Sequence, residues 1–67
     1  LIIQLNGKSQ ELTDHIETVA DLLAFFELQN RIVIVEINKD IIQKEQYSIQ
    51  DLKDGDAVEL IHFVGGG

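Results

Sequence analysis

The stretch Leu1-Ile2-Ile3-Gln4-Leu5-Asn6-Gly7-Lys8-Ser9-Gln10-Glu11-Leu12 decides the fold. Leu1, Ile3 and Leu5 alternate with Ile2 and Gln4, the two-residue period of a strand. Asn6-Gly7 then offers two consecutive residues that tolerate positive φ, as a type I′ hairpin turn demands. Lys8 to Leu12 returns as the second strand. The rest of the chain reads outward from this hairpin.

After the polar stretch Thr13 to Glu17, Thr18 announces a helix. Its hydroxyl is able to cap the first free N–H groups, and Asp21 completes a capping-box-like pair. Val19, Leu22, Leu23 and Phe26 then form one apolar stripe on about two and a half turns, with Gln29-Asn30 as the expected stop. Ile32 to Ile37 is β-branched at every position but Glu36 and predicts a buried strand. Asn38-Lys39-Asp40 turns the chain, and Ile41-Ile42 is a brief strand. Lys44 to Lys53 reads as irregular, with Tyr47, Ile49 and Leu52 as core anchors. Asp54-Gly55-Asp56 is a further turn, Ala57 to Val64 the last strand, and Gly65-Gly66-Gly67 follows.

The order hairpin, helix, strands predicts an α+β domain over residues 1–64, one mixed sheet with one helix across a face, and a flexible glycine tail over 65–67. If the last strand lies between the first hairpin and the middle strands, it carries the glycines straight off the sheet edge.

The chain has 67 residues, 12 acidic against 5 basic, a formal charge of −7, and no cysteine. That is one small domain. It has no disulfide, thiolate metal site or cysteine nucleophile. With 45% hydrophobic residues, disorder is not expected. No apolar run approaches the ~20 residues of a membrane-spanning helix, and no signal-peptide pattern is present. The expectation is a cytoplasmic protein, monomeric when free. The negative charge disfavours nucleic acid and anionic membranes. It fits either a solvated acidic surface or a basic protein partner whose encounter it would speed.

Catalytic groupings are scarce. His15 and His62 are the only candidate neutral bases, and no nucleotide-binding loop or Ser/His/Asp order is present. Two histidines without a tight carboxylate spacing make no metal site. Asp54-x-Asp56 lacks the later ligands of a calcium loop and reads as a turn. The chain does not read as an enzyme, and it is expected to bind no metal or cofactor of its own.

Two features remain. The glycines following the last predicted strand are either a frayed end or a delivery arm. Three extended residues reach roughly 10 Å and, lacking Cβ atoms, pass through a narrow channel. Such an arm would present the α-carboxylate of Gly67 to another protein's active site. The second feature is an apolar patch. With Glu36 facing solvent, a period of two sends Ile34 and Ile32 the same way; with Glu59 facing solvent, it sends Ile61 and Phe63. These rows are either covered by Ile41, Ile42 or Tyr47, or form a docking patch beside the tail.

Taken together, Leu5-Asn6-Gly7, Thr18-Val19-Ala20-Asp21-Leu22-Leu23, Val33-Ile34-Val35-Glu36-Ile37-Asn38, Asp54-Gly55-Asp56 and Val64-Gly65-Gly66-Gly67 resemble the ThiS family over essentially the whole chain. These are the ubiquitin-like sulfur carriers of thiamin thiazole biosynthesis. The resemblance implies a β-grasp fold and a co-substrate role. A ThiF-like adenylyltransferase would use MgATP to form an acyl adenylate on Gly67. A cysteine desulfurase route would supply the sulfur of a thiocarboxylate there, and a ThiG-like thiazole synthase would accept it. Gly65 and Gly66 would thread the tail into those active sites. Related readings are a MoaD-like small subunit of molybdopterin synthase, a ubiquitin-like protein modifier, and a non-covalent interaction module whose tail is incidental.

Overall fold

The computed structural model describes residues 1–62. Its elements are β1 (Ile2–Leu5), β2 (Lys8–Glu11), α1 (Val19–Phe25), β3 (Val33–Ile37), β4 (Asp40–Ile42) and β5 (Ala57–His62), with a 3-10 turn at Lys44–Gln46. Asn6 and Gly7 both take positive φ, +50° and +82°, so the first hairpin closes as its sequence demands. Asn38 (+51°) and Lys39 (+78°) repeat that geometry between β3 and β4. Among the described residues the sheet order is β2-β1-β5-β3-β4. β5 runs parallel to β1 and antiparallel to β3, so the last strand is central. A mixed sheet of this order with one helix across it is the β-grasp arrangement.

One face of the sheet packs on α1. Ile3, Val35, Ile37 and Val58 meet Val19, Leu22 and Leu23 from the helix, and Leu12, Ile16 and Leu52 close the sides. Ile16 lies in the stretch that reads as polar, yet it is buried. Leu52 is the anchor it reads as and Tyr47 packs at the core's margin, whereas Ile49 is 73% exposed. A lone apolar residue in irregular chain has no period to assign its direction.

The helix starts as expected and stops early. The Asp21 amide donates to Thr18 Oγ1 (3.2 Å) and the Thr18 amide to Asp21 Oδ2 (3.1 Å), a reciprocal capping box. The Val19 and Ala20 amides donate to the carbonyls of Gln50 and Tyr47 at 3.0 and 2.9 Å. The irregular segment thereby satisfies amides that a helix start leaves free. The helix ends at Phe25, not at Gln29-Asn30. Glu27 adopts φ +58°, its amide donates to Ala24 O and that of Leu28 to Leu23 O, the paired bonds of a Schellman cap. An asparagine was the expected left-handed residue, but the packing of Leu28 places that conformation on Glu27 instead.

Candidate functional site

The sheet face opposite α1 carries Ile34 and Ile61, two of the four residues singled out for docking. β3 and β5 pair Ile34 with Ile61 and Glu36 with Glu59, and β4 sets Ile41 beside Glu36. Residues directly opposite share a face, so an isoleucine pair and a glutamate pair stand next to each other. Ile61 is 41% exposed and Ile41 63%. Ile42 and Tyr47 pack toward the helix side and so do not cover this row. Ile32 stands apart from Ile34: it precedes β3 and borders a groove with Leu23, Leu28, Val33 and Tyr47 on the helix side. The period of two that groups it with Ile34 applies only within the strand. Phe63, Val64 and the tail residues Gly65, Gly66 and Gly67 lie outside the described residues.

His62 ends the described part of β5. It borders a shallow groove with Leu5, Asn6, Phe26, Leu28 and Leu60, on the side of the sheet that α1 covers. Among the described residues no group of three or more His, Asp or Glu is placed to hold a metal ion. The acids of the Asp54-Gly55-Asp56 turn are engaged in structure. Asp54 Oδ1 accepts from the Ile2 amide at 2.7 Å, and Asp56 Oδ2 from the Lys53 amide at 2.9 Å. Gly55 takes φ +87°, which a turn residue without Cβ adopts freely. Among the described residues no helix is long and apolar enough to cross a membrane.

Two asparagines escape a reading of the sequence beyond their turns. Asn6 and Asn38 each place a side-chain oxygen on a backbone amide of β5. Nothing local announces this, because the Asn6 partner lies 54 residues away.

A central strand that heads toward a glycine-rich end, on a five-stranded sheet crossed by one helix, defines a ubiquitin-like β-grasp protein. The ThiS family model matches residues 3–67, so the glycines fall inside the match, and the chain belongs to the ThiS family. It is 52% identical over 66 residues to the sulfur carrier protein ThiS of Bacillus subtilis, an alignment spanning 98% of this chain and all of that protein. It is 35% identical over 63 residues to a thiazole synthase of Paramagnetospirillum magneticum, covering 94% of this chain but 19% of that protein. The crystal structure of the thiamine biosynthesis protein ThiS from Geobacter metallireducens superposes with a TM-score of 0.82 at 33% identity, over the full length of both chains.

Proposed function

We propose that this chain is a sulfur carrier for thiazole formation and that Gly67 is the residue that bears the sulfur. The observation that carries this reading is a family match that runs through Gly67 on a fold whose central strand heads toward that end. The chain acts as a co-substrate and not as a catalyst. A carboxylate is a poor acyl donor, because oxide does not leave. A ThiF-like enzyme therefore joins the Gly67 carboxylate to the α-phosphate of MgATP and releases pyrophosphate. Persulfide sulfur from a cysteine desulfurase route, reduced to hydrosulfide by two electrons from a thiol reductant of the partners, then attacks the acyl carbon. The C–S bond forms as the C–O bond to AMP breaks, leaving a thiocarboxylate. MgATP and the sulfur donor belong to the partners.

A ThiG-like synthase is the acceptor. The thiazole synthase of Paramagnetospirillum magneticum supports this, since a stretch of its own polypeptide is similar to nearly all of this chain. Gly65 and Gly66 thread the tail, because a residue without Cβ passes where a side chain would not. Ile34 and Ile61, with Glu36 and Glu59 beside them, form the docking face. The partner surface that suits this row is an apolar patch flanked by a basic side chain.

The test is the intact mass of the protein after incubation with ATP, a ThiF-type enzyme and a sulfur source. Exchange of oxygen for sulfur has nearly the nominal mass of an oxidation. The chain holds no methionine and no cysteine to confuse the two. The expected shift maps to the C-terminal fragment and disappears when Gly67 is removed. An unchanged mass with partners that process their own carrier overturns the reading.

A further inference from the structure

The parallel pairing of β1 with β5 matches Gln4 with Ala57 and Leu5 with Val58. The Gln4 amide donates to Asp56 O at 2.8 Å and the Asn6 amide to Val58 O at 2.9 Å. In an evenly spaced parallel ladder the next bond would run from the Leu60 amide to the Asn6 backbone carbonyl. At Asn6 the chain swings into the left-handed turn, φ +50°, and leaves the ladder. The side chain replaces the lost carbonyl: the Leu60 amide donates to Asn6 Oδ1 at 2.9 Å.

We infer that Asn6 is a positioning residue for the carrier's reactive end. Its amide oxygen stands in for its own backbone carbonyl and extends the β1–β5 ladder to Leu60, two residues short of the last described residue. This inference rests on the sulfur-carrier reading. The bond ties the β1 side of β5 two residues before the last described residue, so it orders the strand end from which the arm a partner must thread departs. On its other side β5 stays paired with β3 as far as Val33–His62. The Asn6 bond is thus the tie on the β1 side, where Leu60 is half-buried and Ile61 and His62 are exposed.

The fold supplies its own control. Asn38, also left-handed at φ +51°, ties the opposite end of β5: the Ala57 amide donates to Asn38 Oδ1 at 3.0 Å. Asn6→Gly and Asn38→Gly each keep a residue suited to positive φ and remove one acceptor from β5, at its exit and its entrance respectively; Asn38→Gly also removes the Asn38 Nδ2 donor to Asp56 Oδ1 (3.0 Å). Asn6→Asp keeps the acceptor.

The experiment measures adenylation by a ThiF-type enzyme, followed by pyrophosphate release, together with amide hydrogen exchange of each variant alone. Asn6→Gly is expected to raise KM for the carrier on the order of tenfold, the scale of one hydrogen bond, with kcat little changed. Asn6→Asp restores KM, and Asn38→Gly leaves it near wild type despite a loss in Tm at least as large. Exchange accelerates at Leu60 in Asn6→Gly, and at Ala57 in Asn38→Gly. Equal effects of the two glycine variants on KM, or unchanged exchange at Leu60 in Asn6→Gly, overturn the inference. Wild-type protein that an active partner fails to adenylate overturns the carrier reading instead, and the exchange comparison then still decides whether Asn6 orders the end of β5.

Discussion

Glu36 and Glu59 face each other directly across the β3–β5 ladder, two residues along from the Ile34–Ile61 pair and on the same face. Like charges set opposite each other in a sheet are destabilising. The pair sits on the open face, in the docking row proposed above, where a basic partner group would neutralise it. Glu36→Gln removes the repulsion while keeping the shape. The expected outcome is a gain of about 0.2–1 kcal/mol in stability, measured by thermal or urea unfolding and shrinking as salt is raised. The same variant is expected to bind the adenylating partner more slowly. A loss of stability would show that the two carboxylates do not repel.

Ile61 provides the matching apolar test. It is 41% exposed on the face away from α1, whereas its neighbour Leu60 packs against the core. Ile61→Ser is therefore expected to lower stability by less than about 1 kcal/mol, as surface changes do, yet to weaken partner binding severalfold. Titration against the isolated adenylating enzyme, with unfolding measured in parallel, separates the two effects. Affinity equal to wild type would remove Ile61 from the docking face.

Much of this fold is legible because its signals are local. Asn6-Gly7 declares a hairpin, Thr18 with Asp21 declares a helix start, and the alternation through Val33, Val35 and Ile37 declares which side of β3 is inward. What sequence leaves hidden depends on distant packing. Ile16 is buried from within polar chain, and Ile49 is exposed although it reads as an anchor. Neither belongs to a periodic run, so only tertiary contacts set their directions. The docking row divides the same way: Ile34 and Ile61 follow from strand period, but Ile32 lies outside β3 and answers to the helix side. The family is legible in the order and spacing of motifs, whereas the Asn6 bond to Leu60 joins opposite ends of the chain.

The helix stop offers a stability prediction. Glu27 at φ +58° and Lys39 at +78° are side-chain-bearing residues held in left-handed backbone. That conformation costs an L-residue roughly 1–2 kcal/mol, offset in a glycine variant by roughly 0.4–1 kcal/mol of extra unfolded-chain entropy. Glu27→Gly and Lys39→Gly are each expected to stabilise the fold by about 0.5–1 kcal/mol. The sites lie in separate turns, so the double variant is expected to add the two gains. Chemical denaturation read by circular dichroism checks both. Destabilisation of either single variant would mean that the side chain makes a contact that outweighs the backbone strain.

Asp21 sets the acid limit of the helix start. The backbone amide of Glu17, then that of Thr18, donates to its carboxylate. These bonds hold the carboxyl below its usual range, against a smaller opposing effect of burial. A group whose folded pKa is depressed contributes stability above its unfolded pKa and loses that contribution as pH falls through the folded value. Wild-type protein is therefore expected to exceed Asp21→Asn in stability at neutral pH, with the difference shrinking below about pH 4, where free carboxyls begin to protonate. Tm recorded for both proteins from pH 7 to pH 2 checks this. A difference that stays constant across that range would mean that the charge of Asp21 contributes nothing, and that the capping box acts through hydrogen-bond geometry alone.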